Sequence, residues 1–311
     1  MITVLIPTYR RVDDLLRCLE GIRAQTRMPD EVLVIVRYND HDTLEALIKL
    51  DYHDLSLRVI TVAVPGQVAA LNRGLTESRG DIIAITDDDT IPKKDWLQRI
   101  ESHFLSDPAV GGVGGRDWVH EGSRILSESR PVVGKIQWFG RVIGNHHLGV
   151  GPAREVDLLK GANMSYRRAA IRGKWFEEKL RGSGAQVHND LAFSYSVKRS
   201  GWKLIYDPLV AVDHYPAQRH DSDKRNQYNA VSHFNMVYNE TVTLSRHMGL
   251  LRRIIFLAWS ILIGTASSPG LVQWARLAVK PHSHAGRKVA VVWKGRIIGF
   301  YHGLKIDPGS G

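Results

Sequence analysis

Asp81-Ile82-Ile83-Ala84-Ile85-Thr86 runs directly into Asp87-Asp88-Asp89. The apolar, β-branched run reads as a strand buried on both faces, and the acids that follow mark its carboxyl end. Upstream, residues 67–78 have helical composition after the turn signal Pro65-Gly66, and 58–64 are β-branched again. Residues 42–50 read as a helix and Glu31–Arg37 as a strand. Val12, Leu15, Leu16, Leu19 and Ile22 recur at helical spacing, with Asp13 and Asp14 near the helix start, where the dipole favours acid. The run 2–6, ended by Pro7, is the first strand. Strands alternating with helices predict βαβ units: an α/β fold with a mostly parallel central sheet and helices on both faces. Ligands of such sheets sit beyond the carboxyl ends of the strands, where the Asp triplet falls.

Downstream of about Val110 the pattern loosens. Gly111-Gly112-Val113-Gly114-Gly115 reads as a flexible connector, and 118–151 have no clean period. Residues 160–165, 188–201 and 202–214 read as a second, mixed half closing over the strand ends. A helical pattern over 226–247, carried by Phe234, Val237, Tyr238 and Val242, leads into a basic, apolar tail.

The chain of 311 residues carries 42 Lys and Arg against 32 Asp and Glu, a net charge of +10. With 43% hydrophobic and 24% charged residues it has the composition of a globular protein, not a disordered one. Its single cysteine, Cys18, forms no internal disulfide, which suits the cytosol, and the opening residues do not read as a signal peptide. The positive excess is concentrated: ten Lys or Arg and no Asp or Glu occur from Arg246 to Lys305. Such a block suits nucleic acid or an anionic membrane surface. The apolar run from Ile254 to Gly264 favours the membrane, so no nucleic-acid partner is expected. Residues 254–275 are uncharged, but Ser267-Ser268-Pro269-Gly270 leaves an unbroken apolar part of only 13 residues. A spanning helix needs ~20. The expectation is an interfacial or re-entrant helix with Trp259 and Trp274 at headgroup depth, the alternative being a helix buried in the core. Residues 289–293 and 297–301 are expected to return to the membrane surface or to pack on this segment.

Asp87-Asp88-Asp89 is the sharpest chemical signal. Mg²⁺ and Mn²⁺ take oxygen ligands, commonly one or two carboxylates completed by substrate phosphates. The alternative is a solvated turn before the helix that begins near Trp96.

At this point a family resemblance emerges. Val4-Leu5-Ile6-Pro7-Thr8-Tyr9-Arg10, Cys18-Leu19 through Gln25-Thr26, Pro29 and Glu31-Val32 resemble the start of family 2 glycosyltransferases of the GT-A fold. Leu71-Asn72-Arg73-Gly74-Leu75, Gly80-Asp81-Ile82, Thr86 to Asp89 and Trp96-Leu97 continue the series. Gly161-Ala162-Asn163-Met164-Ser165-Tyr166-Arg167-Arg168 resembles the family's substrate loop. Asn189-Asp190, then Gly201 to Pro208 and His214, resemble its catalytic segment and the following strand. The resemblance covers about residues 1–220, in the family's order.

It implies a Rossmann-like GT-A domain over 1–222, with a nucleotide-binding half at 1–115 and an acceptor half at 116–222. A helical, membrane-associating tail then occupies 223–311. Pro7, Thr8, Tyr9 and Arg10, with Asn72, Asp87 and Asp88, would bind the nucleotide-sugar. Asp87 and Asp89 would form the DxD pair, Asp89 the better ligand for Mg²⁺ or Mn²⁺, with His214 as a further metal or phosphate contact. Asp190 would be the general base of an inverting transfer to an acceptor hydroxyl. Gly161, Asn163 and Asn189 would belong to the acceptor loop. A glycan or lipid-linked acceptor, in cell-envelope glycan or glycolipid synthesis, and a cytoplasmic enzyme held peripherally on the inner membrane face complete the expectation.

Structural alternatives stand beside these roles. Asp190 has the composition of a helix N-cap, His214 of a satisfied buried histidine, and Asn72 and Asn163 of turn residues. Arg167 and Arg168 either contact phosphate or face solvent, and Trp118, Trp138 and Trp202 either stack on sugar or pack in the core. The sequence also departs from the family. Arg37-Tyr38 replace the usual acidic pair after the second strand, Asn189 replaces a glutamate, and Leu71 stands where a basic residue is common. The rivals are a nucleotidyltransferase, which would release pyrophosphate, and a non-catalytic membrane-bound scaffold.

Overall fold

The computed structural model describes residues 1–49, 53–218, 228–279 and 285–305. Leu50, Asn226 and Lys280, which belong to patterns noted above, lie outside the described residues. The chain divides into two compact units. The first comprises Met1–Lys135, Ile143–Glu178 and Phe193–Ala217, and the second Ile136–Val142, Lys179–Ala192 and Gln218–Gly311.

The first unit opens with the expected alternation: β1 (Ile2–Thr8), α1 (Val12–Arg23), β2 (Glu31–Arg37), α2 (His41–Lys49), β3 (Leu57–Val62), α3 (Gln67–Glu77) and β4 (Ile82–Thr86). A short β5 (Thr90–Pro92) and α4 (Trp96–Ser106) follow, then the long β6 (Val110–Glu121) and β7 (Arg124–Ile125). β8 (Lys135–Ile136) and β9 (Val142–Ile143) form a separate two-stranded sheet. β10 (Arg154–Val156), β11 (Asn163–Arg167), α5 (Asn189–Arg199) and β12 (Lys203–His214) complete the set. The main sheet runs β10-β12-β6-β11-β4-β1-β2-β3. β4, β1, β2 and β3 are parallel, β11 lies antiparallel between β4 and β6, and β12 runs parallel to β6.

Successive β1 side chains enter opposite cores. Val4 and Ile6 join Leu15, Leu19, Val34 and Trp96 on one face, while Leu5 joins Leu33, Leu71, Ile83 and Tyr166 on the other. Both faces are dry, which is why these strands are apolar runs and not alternating ones.

The glycine run is not a connector. It forms the start of β6, and Gly111, Gly112, Gly114 and Gly115 are buried. A Cβ at Gly112 would stand 2.7 Å from Leu204, and one at Gly115 only 1.7 Å from the Val210 carbonyl. Glycine is present here because β12 passes too close for a side chain, not to supply flexibility.

The second unit carries α6 (Ala230–His247), α7 (Leu250–Leu262), α8 (Leu271–Ala278) and α9 (Ala285–Lys305). Asn229 caps α6 by accepting from the Val231 and Ser232 amides. Gly295, Gly299 and Gly303, spaced four apart, form one stripe of α9. Added Cβ atoms would meet Val237 at 3.0 Å, Thr241 at 2.9 Å and Ser245 at 2.6 Å, so the stripe lets α9 lie directly on α6. Arg296, 2% exposed, is held in this unit by Thr241 Oγ1 at 3.0 Å and Glu240 Oε1 at 3.2 Å. The break expected at 267–270 separates α7 from α8, and 289–301 form one continuous helix within α9. No helix among the described residues is long and apolar enough to cross a membrane.

Candidate active site

Three strand pairings assemble the site in the first unit. The antiparallel pairing of β5 with β12 sets Thr90 opposite His214, next to Asp89. The parallel pairing of β6 with β12 sets Asp117 opposite Val212, two residues before His214. Because β11 is antiparallel to β4, with Asn163 opposite Thr86, the residues that precede β11 reach the same rim as the Asp triplet.

Each aspartate has different partners. Asp87 accepts from Gln67 Nε2 at 3.1 Å, and its carbonyl accepts from Thr90 Oγ1 at 2.9 Å. Burial, reinforced by the charge of Asp89, raises its pKa. Asp88, 2% exposed, accepts from Thr8 Oγ1 at 2.8 Å and Arg11 Nη1 at 2.8 Å. Burial still dominates, and with the Asp89 charge it pushes Asp88 up to about 7. Asp89, 4% exposed, accepts the Ala217 amide on Oδ2 at 2.9 Å. Burial raises its pKa, but His214, this amide and Arg11 outweigh burial and hold it down at about 2.

His214 is 6% exposed between two carboxylates. Its Nδ1 stands 3.4 Å from Asp117 Oδ2 and its Nε2 stands 3.4 Å from Asp89 Oδ1. The Nε2 contact is at ion-pair distance but misdirected for a hydrogen bond, leaving Nε2 and Asp89 Oδ1 buried without hydrogen-bond partners. Burial lowers the His214 pKa, but Asp117 and Asp89 raise it to about 9. Asp117 also accepts from Lys160 Nζ. Burial disfavours its charge, yet Lys160 and His214 hold its pKa well below the usual range.

Among the described residues, no group of three or more His, Cys, Asp or Glu side chains is arranged to hold a metal ion by itself. The site offers an incomplete set, Asp89 Oδ1 and His214 Nε2. That fits an ion whose other positions are filled by phosphate and water, the usual Mg²⁺ arrangement. A carboxylate oxygen and an imidazole nitrogen are also donors that Mn²⁺ accepts. Buried polar atoms left unmatched are costly and call for an explanation, and a ligand is one.

The remaining predicted residues fall in several places. Pro7 is the penultimate residue of β1, opposite Ile35, and the half-buried Tyr9 lies within cation–π range of Arg10 at 5.1 Å and Arg37 at 5.7 Å. Arg10 adopts a left-handed φ of 56°, and its amide donates to Asp40 Oδ2 at 2.5 Å. Such strain at a strand end is typical of binding loops. Asn72 is buried away from this rim: its amide bonds both N–H and C=O of Phe176, at 2.8 and 3.0 Å, and braces that segment. Asn163 accepts from Trp96 Nε1 at 2.9 Å and donates to the Val210 carbonyl at 2.8 Å, tying β11 to α4 and β12. Gly161 lies in the turn closed by the Lys160–Asn163 bridge. Arg167 and Arg168 neither face a phosphate site nor point freely to solvent; they donate to the backbone carbonyls of Val110, Phe104, Gly80 and Ser78.

Asn189 and Asp190 begin α5 and belong to the second unit. Asn189 is buried and donates to the Ala185 carbonyl at 2.7 Å, whereas Asp190 is half-buried in the first turn, its Oδ1 accepting the Leu191 amide at 2.8 Å. Gln186 and His188 precede them at φ of 43° and 75°. Sequence reasoning missed Arg11, Asp117 and Lys160. The visible signal for Asp117 was an acid two residues after the glycine run, informative only once that run is recognised as a strand.

A GT-A type α/β sheet with acids at its rim defines the class, and the comparisons agree. The model of the family described as Glycosyl transferase family 2 matches residues 3–171, and the chain belongs to that family. Poly-beta-1,6-N-acetyl-D-glucosamine synthase of Staphylococcus aureus is 24% identical over 213 residues, covering 67% of this chain and 48% of that protein. The chain thus spans about half the length of the curated relatives it matches. A mannosyltransferase from Pyrobaculum calidifontis, solved with GDP-Man and Mn²⁺, superposes with a TM-score of 0.59 at 18% identity, covering 96% of this chain and 86% of that one. TarS of S. aureus, residues 1–349 with UDP-GlcNAc, superposes with a TM-score of 0.54 at 16% identity, covering 98% and 91%. At these identities the likeness establishes the shared fold.

Proposed function

We propose that the protein transfers a sugar from a nucleoside-diphosphate donor to an acceptor hydroxyl, with inversion, using Mg²⁺ or Mn²⁺ held at Asp89 and His214. The observation that carries the reading is the pair of unmatched buried donor atoms, Asp89 Oδ1 and His214 Nε2, at the carboxyl ends of the strands. A divalent cation there supplies charge compensation for the departing diphosphate.

The chain's own residues do the rest. Thr8 and Arg11 fix Asp88, and Gln67 fixes Asp87, so the acidic turn is rigid before the donor arrives. Tyr9 presents an aromatic face beside two guanidinium groups, suited to a nucleobase. Asp190 accepts the acceptor's proton as the new C–O bond forms and the bond from the anomeric carbon to phosphate breaks. The nucleotide sugars bound by the two solved structures, GDP-Man and UDP-GlcNAc, are the first donors to test.

We further propose a glycan or lipid-linked acceptor at the inner face of the membrane, and the membrane contact is supported by the surface of the second unit. Its α8 buries none of its residues, and Leu271, Val272 and Trp274 are exposed beside the exposed Arg276. Exposed apolar surface with basic flanks suits an anionic bilayer.

The decisive experiment measures release of nucleoside diphosphate from each donor with and without Mn²⁺, for wild type, Asp89→Ala and Asp190→Ala. Metal-dependent release by wild type and none by either variant is expected, with circular dichroism unchanged. Wild-type turnover by a variant removes that residue's role, and full activity in chelator removes the metal.

A further inference from the structure

Asp117 is fully buried and has one oxygen, Oδ1, with no hydrogen-bond partner. A carboxylate placed this deep is a poor means of stabilising a fold, since apolar replacements of buried ion pairs are often neutral or better. Its position is informative. Its Oδ2 receives Lys160 Nζ and stands 3.4 Å from Nδ1 of His214, whose other nitrogen faces Asp89 Oδ1 at 3.4 Å. Asp117, His214 and Asp89 therefore form a line from the interior of β6 to the acidic rim, with Lys160 anchoring the inner end.

An imidazole presented to an ion needs its ring orientation and tautomer fixed, and the partner of its second nitrogen does this. A carboxylate at Nδ1 requires a proton on that nitrogen. The lone pair of the neutral ring is then on Nε2, the atom facing Asp89. Asp117 is the only carboxylate within 4 Å of His214 Nδ1 among the described residues. Without it, the ring would keep its place at the end of β12 but lose the group that selects the nitrogen to be offered.

We infer that Asp117 is a positioning residue for the reaction: it holds His214 with Nε2 toward Asp89, and Lys160 holds Asp117 in turn. This rests on the proposed reading of Asp89 and His214 as cation donors, and it adds a residue and a role which that reading does not contain.

The test uses the full chain with Mn²⁺ and a nucleoside diphosphate, UDP or GDP, and reads the metal by electron spin-echo modulation. Wild type is expected to show ¹⁴N modulation from a ligated imidazole, absent in His214→Ala. Asp117→Ala is expected to lose most of that modulation and to bind Mn²⁺ ~10–100-fold more weakly. Asp117→Asn, which keeps an oxygen acceptor for Nδ1–H, is expected to retain it. Should the alanine variant fail to fold, Asp117→Leu fills the buried volume without an acceptor and carries the same expectation. Wild-type modulation and affinity in the alanine or leucine variant overturns the inference while leaving the metal reading intact. Absence of ¹⁴N modulation in the wild type overturns both.

Discussion

Replacing Gly299 by alanine sets two effects of opposite sign against each other within one helix. In a helix interior, alanine is favoured over glycine by ~1 kcal/mol. At position 299, however, the new Cβ would stand 2.9 Å from Thr241 Cβ and 3.0 Å from the Tyr238 carbonyl. One of those neighbours is backbone of α6, so it cannot swing aside, and α9 must move off α6. Overpacking of this kind costs ~1–3 kcal/mol. A steric cost toward the upper end outweighs the propensity gain, and a net loss of ~1–2 kcal/mol is expected. Gly286, in the first turn of the same helix, has nothing within 4 Å of its added Cβ. There only the propensity acts, and Gly286→Ala is expected to be neutral or stabilising by up to ~1 kcal/mol. Urea unfolding followed by far-ultraviolet circular dichroism would check both variants. With a slope of ~1–3 kcal/mol/M, the Gly299 variant's midpoint should fall by several tenths of a molar or more. If Gly299→Ala raises the midpoint as Gly286→Ala does, the close approach of α9 to α6 is not what holds this unit together.

The ion network at the sheet rim and the exposed face of α8 give three further expected outcomes. His214 titrates at about 9 instead of 6.5 because Asp117 and Asp89 favour its charged form despite burial. A raised folded pKa gives stability that is fully present below about pH 6.5 and lost as pH rises through 9, on the order of 3 kcal/mol in the metal-free protein. Urea unfolding in chelator should show this loss, and His214→Gln should not; equal pH dependence in both would refute it. Asp88, raised to about 7, loses its contribution in the lower window between the usual carboxylate value and 7, so the two are separable. On the second unit, sedimentation with phosphatidylglycerol vesicles but not with phosphatidylcholine alone is expected, and Leu271→Asp with Val272→Asp should abolish it. Equal binding of wild type and double variant to either vesicle would exclude α8 as the contact.

The parallel half of the fold was legible because it rests on local signals. Both cores take alternate residues of the same strand, so the middles of β1, β2 and β4 had to be apolar runs, and the acids after Thr86 had to stand at a strand end. Asp89 and His214 were named from the family resemblance, and the structure places Asp89 in the turn between β4 and β5 and His214 at the last residue of β12. The segments misread were those in which a distant chain sets the requirement. Gly111 to Gly115 carry the usual mark of a loop, but β12 and the Val210 carbonyl press on them, and only the sheet order reveals that. Gly295, Gly299 and Gly303 acquire meaning only with α6 beside them.

Composition and periodicity thus determined that this chain builds a doubly covered sheet with an acidic rim and a basic, apolar C-terminal helical region. Tertiary structure alone decided that Asp117 reaches His214 and Lys160 reaches Asp117, that Arg11 holds Asp88, and that Asn72 braces the Phe176 backbone. Periodicity records which face of an element is dry. It does not record which strand lies alongside, and a buried charge is tolerable only because of the partner that a strand far away in sequence brings to it.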